Sequence, residues 1–206
     1  MRVLVFGATG KTGALVVERA IERGHEVTVL VRDASKFKRQ GVRVVTGNSM
    51  NATDVLAAVR GQDAVIDTIG GTTPYKSTQL ESTTVRNIIA AMRAEKVSRL
   101  IVISMMGLGD SRQQAPFWYK YLLMTTFLRG SSKDKAAMEA EVEASGLKYV
   151  IARPPILADD PAKGKAIELS LEKIGHKITR ADLAAFLVDQ LTDDKNLGRT
   201  ITVVNS

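Results

Sequence analysis

The residues with the clearest chemical purpose form a glycine-rich loop near the start of the chain. The loop reads Gly7-Ala8-Thr9-Gly10-Lys11-Thr12-Gly13 and follows the apolar run Arg2–Phe6. In such a loop Gly7 permits a sharp turn, Gly10 lets the backbone approach a pyrophosphate, and Gly13 lets a helix pack closely on the strand. Backbone N–H groups at the helix start, with the hydroxyls of Thr9 and Thr12, can hold phosphate oxygens. The loop therefore predicts a dinucleotide site; a glycine turn without a ligand is the simpler alternative.

The end of the second apolar run indicates which dinucleotide. The run Glu26–Val31 is followed by Arg32, where an NAD site usually has an acidic residue on the ribose 2′-hydroxyl. Arg32 can instead pair with a 2′-phosphate, and Ser35 and Lys11 are placed to assist. These residues predict NADP(H), although Asp33 leaves NAD(H) open.

The ends of later apolar runs add candidates, because ligands bind outside the carboxyl ends of strands in an open parallel sheet. Asn48 and Ser49 follow the third run, and Asn48 can hydrogen-bond adenine. Ile69 and Gly70 end the fourth run, where the glycines let the ribose and nicotinamide pass closely. Turns with no ligand are the alternative at both places.

The substrate end offers few acids or bases. Ser104 ends the fifth run and can hydrogen-bond the nicotinamide or a substrate carbonyl. Lys135 can reach ribose hydroxyls, or can simply belong to the first turn of a helix. The segment Ala115–Arg129 contains half of the chain's ten aromatic residues, including Trp118 and Tyr119. It is interpreted as an amphipathic core helix, as an aromatic lid over a planar ring, or as a membrane-surface segment.

Alternating strand and helix patterns must position these residues. Runs with strand character are Arg2–Phe6, Glu26–Val31, Val42–Thr46, Ala64–Ile69, Arg99–Ser104, Lys148–Ala152, and later Ala166–Leu171 and Thr200–Val203. Helical spacing marks Lys11–Arg23, Thr53–Val59, Thr83–Glu95, Ala115–Arg129, Lys133–Ala144 and Thr179–Leu191, the last with Thr179 as N-cap. This alternation predicts a Rossmann-type α/β fold, a doubly wound parallel sheet with helices on both faces.

Length and composition limit the alternatives. The 206 residues favour a single domain, 1–206, with a small late lobe over about 155–206 packed at the carboxyl ends of the strands. There is no Cys, and the two histidines, His25 and His176, lack metal-ligand spacing, so no metal is expected. The net charge of +7 is scattered, which argues against nucleic-acid binding. No stretch can span a bilayer and no signal peptide precedes the first strand, so a cytoplasmic location is expected.

Several stretches resemble the atypical short-chain dehydrogenase/reductase superfamily, and within it the NmrA-like group that contains the flavin reductase/biliverdin-IXβ reductase. They are GATGKTG, GHEVTVLVRD, GQDAVIDTIG, RNIIAAM and SGLKYVIARPP. The resemblance implies a seven-stranded parallel sheet, NADPH as hydride donor, and reduction of flavins, quinones or linear tetrapyrroles. It assigns the phosphate loop to Gly7, Thr9, Gly10 and Thr12, the 2′-phosphate to Arg32 and Ser35, and the nicotinamide end to Pro154.

The sequence also departs from the family pattern. Lys135 occupies the Lys position of the dehydrogenase motif Tyr-x-x-x-Lys, but Ser131 stands in place of the Tyr. The resemblance further implies a Ser at position 105 and a His at position 156, where this chain has Met105 and Ile156. These changes predict an apolar substrate pocket and favour a flavin or quinone over a propionate-bearing tetrapyrrole.

Together these observations predict an NADPH-dependent reductase that transfers hydride to a planar conjugated acceptor. Such acceptors take their proton from water, so the protein needs to supply mainly orientation. A non-catalytic dinucleotide sensor of the NmrA-like type is the leading alternative, and an epimerase is disfavoured by the missing Tyr. A monomer or weak dimer is expected.

Overall fold

The structure is a computed structural model that describes residues 1–71, 73, 75–76 and 78–205. Its strands are β1 (Arg2–Phe6), β2 (Glu26–Val31), β3 (Val42–Thr46), β4 (Ala64–Asp67), β5 (Arg99–Ile103), β6 (Lys148–Arg153), β7 (Ile156–Ala158), β8 (Ala166–Glu168), β9 (Lys177–Thr179) and β10 (Arg199–Asn205). Its α-helices are α1 (Lys11–Glu22), α2 (Ala52–Val59), α3 (Leu80–Ala94), α4 (Arg129–Glu143) and α5 (Arg180–Asp189).

One large sheet organises the fold, with strand order β3-β2-β1-β4-β5-β6-β10-β8. The first seven strands in this order are parallel, and β8 joins the edge antiparallel to β10. The chain moves outward from β1 to β3 and then returns to β4 on the other side of β1. This reversal opens a crevice at the carboxyl ends of β1 and β4, where Rossmann proteins bind ligands. The predicted fold class is confirmed, and the parallel sheet has one antiparallel strand more than expected.

Alternate residues of each central strand enter opposite halves of the core. Val3 and Val5 pack with α1 and α5 on one face, whereas Leu4 and Phe6 pack with α2, α3 and α4 on the other. Both sets are fully buried. A strand covered on both faces is apolar throughout, which is why these runs were recognisable in the sequence.

The last fifty residues contribute both to the main sheet with its helices and to a small separate strand pair. Helix α5 packs beside α1, and β10 pairs with β6 inside the main sheet. Thr179 caps α5 by accepting from the backbone N–H of Asp182, as the sequence predicted. The strands β7 and β9 form a separate parallel pair beyond the end of β6.

The largest departure from the predicted elements is the segment 115–129. It is not one α-helix: a 3₁₀ helix, Gly109–Gln114, precedes it, and Tyr119–Leu123 forms a π-helical turn. Pro116 stands at the start of the helical stretch, where its carbonyl accepts from the backbone N–H groups of Tyr119 and Lys120. Helices α3 and α4 begin three and four residues before their predicted starts.

Candidate functional site

The glycine loop is locked against the end of β4. Gly7 has a φ of +77°, and a Cβ there would lie 2.6 Å from the Thr68 hydroxyl oxygen. A Cβ on Gly13 would lie only 2.2 Å from the Gly7 carbonyl oxygen, so α1 approaches the loop as closely as glycine allows. A Cβ on Gly10 would lie 3.2 Å from the Gly7 carbonyl oxygen and, chain neighbours aside, within 4 Å of no other described atom. Position 10 thus faces open space above the loop, where a pyrophosphate fits.

The start of α1 is left free for an anion. Gly10 is its N-cap, no side chain of the described residues caps it, and its first turn contains no acid. The uncapped N–H groups and the positive end of the helix dipole favour phosphate oxygens. Thr9 lies exposed on the loop and Thr12 is buried in the first turn. This arrangement fits a dinucleotide pyrophosphate.

Lys11 points to a different partner from the predicted 2′-phosphate. Its Nζ lies 2.6 Å from an Asp159 carboxylate oxygen, just after β7. Arg180, at the start of α5, pairs with the same carboxylate. The Lys11 hydrogen bond is the main cause that holds the pKa of Asp159 below its usual range. These contacts tie the phosphate loop to the chain after β7.

The region after β2 leaves Arg32 exposed and holds the neighbouring acid, Asp33, in hydrogen bonds within its own turn. Asp33 accepts from the backbone N–H and the hydroxyl of Ser35, at 3.0 and 2.7 Å, and lies 3.6 Å from Lys36 Nζ. The hydrogen bonds from Ser35 lower the pKa of Asp33. Arg32 is exposed and forms no ion pair with any residue described. Arg32 is therefore free for a phosphate, while Asp33 is already used by its own turn.

Asn48 and Ser49 lie on the turn after β3. Asn48 accepts from the Met50 backbone N–H at 3.1 Å, and its own N–H donates to Asp54. The Ser49 hydroxyl lies 2.9 Å from the Thr84 hydroxyl, which links the turn to α3. Asn48 is exposed, so it remains a candidate for adenine.

Strand β4 ends two residues earlier than predicted, at Asp67. The buried Asp67 carboxylate accepts from the Ile69 backbone N–H at 3.0 Å and turns the chain out of the sheet. Ile69 is half-buried and Gly70 is exposed with open space around it. This turn forms the wall of the crevice opposite the glycine loop.

Ser104 follows β5 at the same edge and has an unused hydroxyl. The side chain is only 3% exposed, yet its Oγ makes no hydrogen bond with any described residue. Its backbone N–H donates to the Ala152 carbonyl, and the Met106 N–H donates to the Pro154 carbonyl at 3.0 Å. The ends of β5 and β6 are therefore held side by side, with Met105 and Pro154 buried next to Ser104.

Lys135 supports the strand that carries Ser104. Its Nζ is buried and donates to the Ile103 carbonyl at 3.2 Å, and it lies 3.9 Å from a Glu81 carboxylate oxygen. The ammonium group thus contacts the backbone one residue before Ser104. This geometry makes Lys135 a positioning residue for the end of β5.

Sequence reasoning missed the buried acids around Lys135. Asp67, Glu81 and Asp134 are all nearly inaccessible to solvent. Burial raises the pKa of Asp67 to about 6, while attraction to Lys135 opposes this. Burial, followed by hydrogen bonding with Asp134, raises the pKa of Glu81 to about 7. The only sequence signal was an acid inside an apolar run, at Asp67.

A second buried ion cluster fixes the end of β6. Arg153 pairs through Nε and Nη2 with both Glu139 carboxylate oxygens, at 2.8 and 2.9 Å, and through Nη1 with Asp110. These bonds join β6, α4 and the 3₁₀ helix just before Pro154. No local sequence pattern predicts this pairing, because the partners are 14 and 43 residues away.

The predicted substrate-pocket residues are not equally placed. Met105 and Tyr119 are buried in one small cluster with Met106 and Leu108. Burial raises the pKa of Tyr119 to about 12, so it does not serve as a proton donor of ordinary strength. Trp118 and Ile156 are about half exposed, at 50% and 46%.

The fold and loop define the class of protein: a Rossmann protein with a dinucleotide site at the carboxyl edge of its sheet. A family model described as NAD(P)H-binding matches residues 7–194. The chain belongs to this NAD(P)H-binding family. A nicotinamide dinucleotide is therefore its cofactor class, and the choice between NADP and NAD stays a prediction.

Known relatives agree with this assignment. An uncharacterized chloroplastic protein of Arabidopsis thaliana is 27% identical over 98% of this chain and 76% of its own length. The anaerobillin reductase ChuY of Escherichia coli O157:H7 is 27% identical, with a TM-score of 0.82 over 99% of this chain and 97% of that chain. A short-chain dehydrogenase/reductase of Veillonella parvula in complex with NADP shares the fold, at 18% identity and a TM-score of 0.81 over 99% and 94% of the two chains. The resemblance to atypical short-chain dehydrogenase/reductases is confirmed.

Two features are absent from the residues that the structure describes. No helix among them has the length and apolar character needed to cross a membrane. No group of three His, Cys, Asp or Glu side chains among them is arranged to hold a metal ion.

Proposed function

We propose that this protein is an NADPH-dependent reductase of a planar conjugated acceptor, a flavin or a quinone. The observation that carries the proposal is the buried, unpartnered Ser104 hydroxyl, which lies at the cofactor edge among apolar side chains. A buried hydroxyl without a hydrogen-bond partner destabilises the protein. A hydrogen bond between Ser104 and a ligand atom would therefore be favourable. Met105 beside it suits a flat apolar ring better than a charged substrate.

NADPH is the proposed donor because of Arg32. Its guanidinium is exposed at the end of β2, at the position from which an Arg contacts the 2′-phosphate in NADP sites. The Asp33 carboxylate accepts two hydrogen bonds from Ser35, which favours the 2′-phosphate over a contact from Asp33 to the ribose 2′-hydroxyl. When bound, NADPH supplies a hydride to the acceptor, and a proton from water completes the two-electron reduction.

The chain's own groups orient the reactants. Gly7, Gly10 and the start of α1 bind the pyrophosphate, and Asn48 contacts adenine. Ser104 hydrogen-bonds the nicotinamide amide or an acceptor carbonyl, and Lys135 holds its strand in place. We further propose that Trp118 covers the acceptor, and that the protein acts in the cytoplasm as a monomer or weak dimer.

Turnover with an acceptor panel tests the proposal. We expect NADPH absorbance to fall when FMN, riboflavin or menadione is added, and to fall more slowly with biliverdin. Deuterium should be transferred from one face of stereospecifically labelled NADPH only. A rate no higher than without protein for every acceptor would overturn the reductase and favour a dinucleotide sensor.

Substitution of Ser104 separates activity from stability. Ser104→Ala should lower kcat/KM about tenfold, equivalent to roughly 1.4 kcal/mol, without lowering the melting temperature, because the fold loses no hydrogen bond when the hydroxyl is removed. Ser170→Ala, at an exposed site, is the matched control. Full activity in Ser104→Ala would remove Ser104 from the site.

A further inference from the structure

A cavity of about 450 Å³ lies beside the chain that leaves β5. Its apolar lining comes from Leu108, Met124 and the glycines of residues 107–109. These residues begin three positions after Ser104 on the same connection. The cavity is large enough for part of an organic ligand. Two of its lining residues, Leu108 and Met124, belong to the same apolar cluster as Met105.

Three cations line this cavity without a partner. Arg112, Lys120 and Lys133 are all wall residues, and none forms an ion pair with any residue in the described part of the chain. Most other arginines and lysines near the site, such as Arg153 and Lys135, are paired. Three unpaired cations around one concave surface create a positive potential that attracts an anion.

The segment that carries these cations contains no acid to neutralise them. The sequence from residue 111 to residue 133 contains no Asp or Glu. The acids at its two ends are engaged elsewhere: Asp110 pairs with Arg153, and Asp134 accepts from the backbone N–H groups of Glu81 and Ser82.

The start of α4 adds to the positive potential. This 15-residue helix begins at Arg129, has no capping side chain and no acid in its first turn. Ser132, in that turn, and Lys133, one residue beyond it, line the cavity together with Thr125. The helix dipole places further positive charge here.

We propose that this cavity binds a phosphate monoester carried by the acceptor, so that FMN is preferred to riboflavin. The inference rests on the proposed function, because it assigns the cavity to the same acceptor. Two negative charges match three cations and a helix start, and the apolar floor suits the uncharged part of the ligand. The ring itself would lie toward Ser104.

Binding without turnover tests this subsite directly. FMN and riboflavin differ only in the phosphate, and both can be titrated by their own fluorescence in the absence of NADPH. We expect FMN to bind at least tenfold more tightly than riboflavin at low salt, with the difference shrinking as salt is added. Equal affinities for the two flavins would overturn the proposal.

A charge-matched pair of variants locates the effect. Replacing Arg112, Lys120 and Lys133 together by Gln should reduce FMN affinity to that of riboflavin and leave riboflavin affinity unchanged. The control replaces Lys96, Lys148 and Lys195 by Gln, which removes three exposed cations from the opposite edge of the sheet. The subsite would be contradicted if the triple variant at Arg112, Lys120 and Lys133 still preferred FMN to riboflavin. It would also be contradicted if the control variant lost this preference equally.

The two proposals can fail separately. Reduction of menadione with equal flavin affinities would retain the reductase and remove the phosphate subsite. Tighter FMN binding that depends on the three cations, without reduction of any acceptor, would retain the subsite and remove the reductase.

Discussion

The dinucleotide end of this molecule and its proposed acceptor end are built differently. Around the glycine loop, backbone atoms approach so closely that Gly13 leaves no room for a Cβ. Around the segment 115–129, by contrast, Phe117 is 78% exposed and Leu122 is 63% exposed. A preorganised backbone suits one ligand of constant structure, such as a dinucleotide. Exposed apolar side chains at the proposed acceptor end instead offer a surface on which a ligand can pack.

The largest expected effects come from two glycines of the loop. Gly13→Val should lower the free energy of unfolding by about 3 kcal/mol or more, because the new Cβ would collide with the Gly7 carbonyl. Gly10→Val should leave the fold intact and weaken dinucleotide binding at least about a hundredfold, or roughly 2.7 kcal/mol. Urea unfolding measures the effect of Gly13→Val, and calorimetric titration measures the effect of Gly10→Val. Unchanged NADPH affinity in Gly10→Val would show that the pyrophosphate lies elsewhere.

The buried acid at the end of β4 should make stability depend on pH. The folded protein holds the Asp67 proton more tightly than the unfolded chain does, so this contribution is complete below about pH 4 and is lost as the pH rises through about 6. Across this pH range we expect the free energy of unfolding of the wild type to fall by an amount on the order of 2 kcal/mol. Asp67→Asn should lack this fall.

Urea unfolding of both proteins at a series of pH values measures the difference. Glu172→Gln, at an exposed position, is the control and should follow the wild type. Parallel pH curves for wild type and Asp67→Asn would contradict the raised pKa of Asp67.

Cofactor choice should depend on one exposed guanidinium. We expect NADPH to bind at least about tenfold more tightly than NADH, or roughly 1.4 kcal/mol, and Arg32→Ala to remove most of this preference. Arg43→Ala, on the exposed edge strand β3, should retain it. Equal affinities in the wild type would turn attention to Asp33 as a ribose ligand.

The smallest effect is expected at the aromatic segment, and it tests whether the acceptor end works as a lid. Trp118→Ala should raise the acceptor KM about threefold, a loss of roughly 0.7 kcal/mol, and leave the NADPH KM unchanged. Leu122→Ala, equally exposed but not aromatic, is the matched control. A loss of thermal stability with unaltered kinetics would support a packing role instead.

The sequence predicted best where the cause of a structure is local. The strands β1 and β2, the loop with Gly7 and the N-cap Thr179 each depend on neighbours in sequence, and all were placed correctly. The pairing of Lys11 with Asp159 joins residues 148 positions apart, and no local pattern reveals it.

The acceptor end was harder to predict for two physical reasons. Its aromatic pattern is compatible with a helix, but Pro116 and the π-helical turn break the regular period. Its buried charges, such as Glu81 beside Lys135, depend on the packing of α3 against α4 and not on either helix alone. Residue types therefore predicted a ligand site in this region, but only the fold showed which charged residues lie close together there.

The packing of α1 beside α5 has a consequence for how this protein can be divided. The glycine loop and Arg32 lie within the first 32 residues, and the last predicted cofactor contact is Pro154. Yet α1 covers its apolar face with Leu183 and Leu187 of α5, and Arg23 pairs with Asp189 at 2.9 Å. A fragment ending after β6 would retain every predicted cofactor residue and expose the helix that presents them. The nucleotide-binding half is thus not a transferable module, because a helix that supports it follows it in the chain.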